Sequence, residues 1–479
     1  MLIGREYEQM RLKEAYSSKR PEFVAVYGRR RIGKTFLIRQ MFGEQFFFRH
    51  TGKAKTGMRG QLDAFRDSLV EAGSRDCPLL PNWKTAFAEL KRLIVAGRRG
   101  RKVVFIDELP WLDTPRSGFV PEFEYFWNDW ASARDDVMLI VCGSATSWIV
   151  SQIVKNRGGL HNRLTMQLSL QPFTLAECEQ YAHSNGIEFS RRDLAELYMI
   201  FGGVPYYWSL LRKGQSVGKA VDSLLFAPGG ELELEFDQLY ASLFNTPEAY
   251  LKIVEALGTK RRGLTREELV RETALTNNGI LTRHLRELEQ CGFIRKYVLF
   301  GNKSKGAIYQ LIDAYTLFYF RFAKANRRHD PKFWTTSTGT PLHSTWAGLA
   351  FERLCLCHLE QIKRALGICG IQTSAAAWRH YGDEENPEGA QIDLLIDRAD
   401  RVINLCEMRY CENVYSITEA RRAELLERRG IFREVTGTKR TVHLTMVTSC
   451  GLKKGPNIGI VQSEVTLDDL FVPIRDSRL

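Results

Sequence analysis

The sequence predicts an α/β protein that opens with a parallel sheet packed between helices and continues into helical and mixed α/β segments. Three apolar runs carry that expectation. Phe23-Val24-Ala25-Val26-Tyr27, Val103-Val104-Phe105-Ile106 and Val137-Met138-Leu139-Ile140-Val141-Cys142 are continuous rather than alternating, as strands buried on both faces must be. The first run opens directly into the helical pattern Phe36-Leu37-Ile38-Arg39-Gln40.

Between that strand and that helix lies Gly28-Arg29-Arg30-Arg31-Ile32-Gly33-Lys34-Thr35, a complete G-x-x-x-x-G-K-[ST] phosphate loop in the place such a loop requires. Its glycines allow a turn whose backbone N–H groups point at an anion, and the helix starting at Lys34 adds its positive dipole end. These eight residues form the expected ATP-binding set. Lys34 is expected to reach the β- and γ-phosphates and Thr35 to ligate Mg²⁺. The second run closes with Asp107-Glu108. Asp107 at the strand end is expected to hold Mg²⁺ through water, and Glu108 to orient and polarise the attacking water.

A chain of 479 residues should hold about three domains. Lys and Arg outnumber Asp and Glu by 68 to 56, giving a net charge of +12, which suits a polyanionic partner as well as it suits general basicity. The ten cysteines include no C-x-x-C and one close pair, Cys355 and Cys357, so neither a zinc module nor a disulfide framework is expected. Reduced thiols in a cytoplasmic protein fit this pattern. The start, Met1-Leu2-Ile3-Gly4-Arg5-Glu6, is charged where a signal peptide needs an apolar core, and no run approaches the ~20 apolar residues of a membrane span. No membrane association is expected.

Gly4-Arg5-Glu6 leads into a helical pattern from Tyr7 to Tyr16, and Leu164 to Leu170 alternates as a strand. Pro172-Phe173-Thr174-Leu175-Ala176-Glu177 contains a Thr-x-x-Glu capping box that starts a run of helices. Gly4-Arg5-Glu6, the loop from Tyr27 to Thr35, Ile106-Asp107-Glu108-Leu109-Pro110, Gly143-Ser144, Pro172-Phe173 and Gly202-Gly203-Val204-Pro205 together resemble the archaeal-type ATPase family, a group of STAND- and AAA-related P-loop proteins. The resemblance spans most of residues 1 to 215. It implies a P-loop NTPase core over 1–170, a helical lid over 171–240, and ATP binding with hydrolysis. In ATPases of this type a small polar residue at the place of Ser144 contacts the γ-phosphate or the attacking water, the other reading of Ser144 being a strand-to-helix cap. Arg157 and Arg163 stand where such proteins keep an arginine that stabilises transition-state charge.

Residues 245–312 change to three short helices and a hairpin. The helices are expected over Tyr250–Leu257, from Thr265, and over Asn277–Leu288, with strands Phe293–Val298 and Ala307–Leu311 around a basic turn. This order resembles a winged helix-turn-helix. Its third helix would present Asn278, Thr282, Arg283 and Arg286 to a DNA groove, while Lys303 and Lys305 on the wing would meet phosphates. Packing between domains is the alternative use of such a module.

Residues 313–479 carry a helix expected over Gly348–Leu366 with Glu352, then two apolar strands containing Asp393 and Glu407, joined by the charged turn Arg398-Ala399-Asp400-Arg401. Acids on adjacent strands can bind Mg²⁺, with Glu352 as a third ligand. The pattern resembles the PD-(D/E)xK nuclease fold, which archaeal-type ATPases often carry at the C-terminus. That fold has a lysine two positions after the second acid, whereas this chain has Arg409, a bulkier group that is never neutral. An active nuclease, an inactive nucleic-acid-binding core and a structural role all stay open. Two functional readings follow: an ATP-driven switch acting on DNA, or a STAND-type signalling ATPase whose C-terminal half binds a protein partner or a second copy of the chain.

Overall fold

The computed structural model describes residues 2–98, 100–144, 146–154, 159–160, 162–244, 246–301, 306–326, 330–382 and 389–474. The chain divides into two compact units, the first running to Pro172 and the second starting at Phe173, with a short stretch around Leu243 grouped with the first.

In the first unit, strands β1 (Glu22–Tyr27), β2 (Phe46–Thr51), β3 (Lys102–Asp107), β4 (Val137–Gly143) and β5 (Met166–Ser169) form one sheet in the order β2-β3-β4-β1-β5. Every pairing is parallel. Side chains alternate between two cores. Val104, Ile106, Leu139 and Val141 enter one core with Phe65, Trp83 and Phe123, whereas Val103, Phe105, Met138 and Ile140 enter the other with Leu37 and Ile38. Burial on both faces explains the continuous apolar runs of β3 and β4. Because β4 lies between β1 and β3, the carboxyl ends of all three strands open on one edge, the end at which open α/β sheets hold ligands. The lead-in helix covers Glu6–Ser17.

The second unit contains residues 173–242, which the sequence groups with the nucleotide core as a lid. Within the unit these residues bond to later segments. Leu175 N–H donates to His358 Nε2 at 3.0 Å, Trp334 Nε1 donates to Glu196 at 3.2 Å, and the carboxylate of buried Asp222 accepts from the backbone of Trp334 and Thr335. Gly203 lies so close to Phe173 that an added Cβ would stand 1.9 Å from its carbonyl oxygen, while Phe173 N–H donates to Gly203 O. That contact is why only glycine fits there.

Next come helices Pro247–Gly258, Arg266–Thr273 and Gly279–Gln290 with strands β6 (Leu264–Thr265), β7 (Ile294–Tyr297) and β8 (Ile308–Leu311), antiparallel in the order β6-β8-β7. Thr265 and Glu268 form a full capping box, and Asn278 caps the following helix by accepting from Ile280 N–H and Leu281 N–H. The helix expected over Gly348–Leu366 is instead two helices, Pro341–Cys357 and Leu359–Ala365. The break is His358. Its Nε2 accepts from Leu175 N–H, so the proton sits on Nδ1, which donates to Leu354 O at 2.8 Å. Full burial lowers the imidazole from its ordinary 6.5 to about 4 and keeps it neutral.

Strands β9 (Thr373–His380), β10 (Ala390–Arg398), β11 (Val402–Arg409), β12 (Thr441–Thr448) and β13 (Ser463–Thr466) form a second five-stranded sheet in the order β13-β12-β11-β10-β9. Its first three strands pair antiparallel, while β11, β12 and β13 run parallel. The helix Glu419–Thr436 makes the β11-to-β12 crossover that a parallel pair requires. No described helix is long and apolar enough to cross a membrane.

Candidate nucleotide site

The phosphate loop takes its shape from two glycines. Gly28 has φ 148°, and a Cβ there would stand 2.5 Å from Leu170 O; Gly33, at φ 88°, begins the helix Lys34–Phe42. Arg31 between them is also left-handed, at φ 67°, a conformation that costs a non-glycine residue about 1 kcal/mol or more. Ile32 anchors the loop in the core with Leu37 and Ile38. Arg29 is buried, and Arg30 is half-buried.

Lys34 is buried, and its ammonium donates to Gly28 O and Arg29 O, both at 2.9 Å. An ammonium has three donors, so one stays available for a phosphate oxygen. Thr35 Oγ1 donates to Asp107 Oδ2 at 2.7 Å, and Glu108 N–H donates to Asp107 Oδ1 at 3.0 Å. The hydroxyl and carboxylate expected to share Mg²⁺ are thus adjacent. Glu108 sits at φ 47°, and its Oε2 accepts from Ser144 N–H at 3.1 Å and from Ser144 Oγ at 2.9 Å. Cys142, fully buried near the end of β4 and two residues before Ser144, has its thiol pushed up by burial first and then by Asp107, with Lys34 opposing and Glu108 adding. One thiol therefore senses Lys34, Asp107 and Glu108 together.

Hydroxyls meet the charge of both carboxylates here, and an oxygen-rich set of this kind suits a hard divalent cation beside phosphate oxygens. The residues present fit ATP and Mg²⁺. Arg163 is exposed, and among the described residues no hydrogen bond or ion pair links its side chain to Lys34, Thr35, Asp107, Glu108 or Ser144. Arg157 lies outside the described residues.

Residues that the sequence reading passed over brace this edge. Gly52 N–H donates to Asp107 O at 3.0 Å. Fully buried Gln61 accepts from Lys53 N–H and donates to Lys53 O and Trp111 O, fastening the end of β2 to the segment after Glu108. The signal was Thr51-Gly52-Lys53 at the end of an aromatic strand, too short to stand out.

Residues 2–211 match a family described as an ATPase domain predominantly from Archaea. The matched segment contains the phosphate loop and all five strands of the first sheet. Over 397 residues, 80% of this chain and 83% of the other, the chain is 24% identical to an uncharacterized protein of Methanocaldococcus jannaschii. Among solved structures it is similar to the Walker-type ATPase of Pyrococcus abyssi, with a TM-score of 0.48 and 16% identity over 67% of this chain and 96% of that one. It is also similar to the ORC2 protein of Aeropyrum pernix in ADPNP and ADP complexes, with a TM-score of 0.42 and 14% identity over 67% of this chain and 93% of that one.

Beyond the matched segment, Arg283 and Arg286 are exposed on the helix Gly279–Gln290, as is Thr282, whereas Asn278 is occupied as the helix cap. Lys303 and Lys305 lie outside the described residues. Asp393 and Glu407 stand one step past the paired positions Leu394 and Cys406 of β10 and β11, as expected of a hairpin. Of the second Mg²⁺ set, Glu352 and Asp393 share Arg261, and among the described residues no group of three or more His, Cys, Asp or Glu stands placed to hold a metal ion. Their partners are cations. Arg261 bonds Glu352 and stands 3.8 Å from Asp393, while Glu407 accepts from Arg421 and Arg428 and forms an ion pair with Arg409. Burial raises the Glu352 carboxyl, Asp393 adds to the rise, and Arg261 opposes it.

Proposed function

We propose that this chain is an ATP-hydrolysing switch that couples nucleotide state to its second unit on DNA. The observation that carries the proposal is the edge of the first sheet, where Lys34, Thr35 with Asp107, and Ser144 with Glu108 converge. Thr35 and Asp107 would hold Mg²⁺, which when bound neutralises charge building on the phosphates. Lys34 turns its remaining donor to the phosphate chain. Glu108, held by Ser144, aligns a water for in-line attack and draws off its proton.

On the side of the second unit, the order helix, short strand, helix, helix, hairpin over 247–311 supports a winged helix-turn-helix, and exposed Arg283 and Arg286 support contact with DNA. The mixed sheet of 373–466, with its antiparallel hairpin and helical crossover, supports a nuclease-like fold. Its arginine-occupied carboxylates favour a binding role for that fold over cleavage.

Steady-state ATP hydrolysis by the purified chain with Mg²⁺, with and without duplex DNA, tests this. Mg²⁺-dependent turnover that rises with duplex is expected. Absence of turnover overturns the hydrolysis reading, and turnover indifferent to DNA transfers the partner role to a protein, as in STAND-type signalling.

A further inference from the structure

Where a nuclease-like site would gather carboxylates around a metal, this chain gathers guanidinium groups around carboxylates. Glu407 Oε1 takes Arg409 at 2.7 Å and also Arg421, and its Oε2 takes Arg428 at 2.7 Å. Arg421 and Arg428 share a second carboxylate, Glu424. Arg261 lies on Glu352 and near Asp393, and Arg295 and Arg353 stand within electrostatic reach of Asp393. Around Glu407 three arginines face two acids, Glu407 and Glu424, a surplus of one positive charge. A divalent cation entering there would meet net repulsion as well as carboxylates already bonded. The expected metal does not fit.

An anion does. Each guanidinium has five N–H donors in a planar fork, and one carboxylate cannot use those of three arginines. Nε of Arg409 and Nε of Arg421 are buried and make no hydrogen bond among the described residues. Arg409 is also open to a ligand, with 41% of its side chain exposed. Tetrahedral phosphate oxygens carry negative charge and enough acceptors to take several forks at once.

We propose that the cluster of Arg409, Arg421 and Arg428 around Glu407 is a phosphodiester-binding site, which takes a backbone phosphate of duplex DNA in exchange for the Glu407 carboxylate. Glu407 acts as an internal stand-in for that phosphate, keeping three like charges together until the duplex arrives. The inference rests on the DNA reading above and adds to it the place and chemistry of one contact.

The test uses the full chain, a fluorescein-labelled 20-base-pair duplex as probe, EDTA to remove divalent ions, and a salt titration. Arg409→Gln is expected to weaken duplex binding about three- to tenfold and to reduce the salt slope by about 1. Glu407→Gln is expected to tighten binding several-fold, because it removes the internal competitor. A metal site requires the reverse, with duplex binding lost in EDTA and Glu407→Gln weakening it, and either result overturns the proposal. Equal affinity in the wild type and both variants also overturns it while leaving DNA binding elsewhere intact, whereas a wild type that binds no duplex overturns both readings. Competition by poly-glutamate as strong as by unlabelled duplex would reject the phosphodiester assignment. Should Glu407→Gln unfold, judged by thermal melting, the partly exposed Arg409→Gln still decides.

Discussion

Two sets of acidic residues stand out in this molecule, and they are held in opposite ways. In the first unit Asp107 and Glu108 are gripped by neutral donors, the hydroxyl of Thr35 and the amide and hydroxyl of Ser144. In the second, Glu352 and Glu407 are gripped by arginines. A neutral donor orients a carboxylate and leaves its charge in place, whereas a guanidinium orients it and cancels the charge. The same residue type thus makes a cation-receptive edge in one unit and a cation-repelling one in the other.

Breaking the first grip gives the largest expected effect. Lys34→Ala removes the one ammonium at the phosphate loop, and the affinity for ATP should fall by roughly 1,000-fold, because its charge-assisted bond to phosphate, worth about 1.5–3 kcal/mol, goes together with the two bonds to Gly28 O and Arg29 O that hold the loop. Equilibrium binding of a fluorescent ATP analogue checks this, and near-normal affinity would remove Lys34 from the site. Glu108→Gln is expected to leave that affinity unchanged while lowering the turnover number by about 10²–10⁴-fold, the range for loss of a general base. A turnover number within a factor of three of wild type would assign the water to another residue.

The sequence made one of these sites legible and left the other half hidden. The phosphate loop, the strand closing on Asp107-Glu108 and Ser144 after the third strand are all local patterns, and the structure brings them together because parallel strands end on one edge. Glu407 and Arg409 were equally visible, being two residues apart on one strand face. Arg421 and Arg428 were not: they reach Glu407 from the crossover helix, and Arg261 reaches Glu352 across 91 positions of sequence. The break at His358 was hidden for the same reason. The apolar pattern runs on through it, and its partner Leu175 lies 183 residues earlier.

Among the described residues, His50 in the first unit and His358 in the second are both held neutral by burial, which sets a middle-sized expectation. His50 and His358 are both lowered by desolvation from 6.5 to about 4. The unfolded chain binds these protons below pH 6.5 and the folded chain does so only near pH 4, so stability is full above about 6.5 and is lost as pH falls toward 4. The loss is up to about 3 kcal/mol per group. Urea unfolding at pH 7.5 and 5.0 should show that loss in the wild type, and His358→Gln should remove one group's share in the second unit only. An equal pH dependence in both proteins would mean that His358 is protonated in the folded chain.

The smallest effect separates positioning from chemistry. Ser144→Ala deletes the hydroxyl bond to Glu108 and leaves the amide bond, so turnover should fall about tenfold, near the 1.5 kcal/mol lower value for a hydrogen bond to a charged group, with ATP affinity unchanged. If Ser144 acts through Glu108, this tenfold must vanish in a Glu108→Gln background, because a misaimed base and an absent base are equally idle. If Ser144 instead touches the γ-phosphate or the water itself, the two losses multiply. The double variant therefore tells whether the neutral grip that distinguishes this site from the arginine-held one is what makes its carboxylate work.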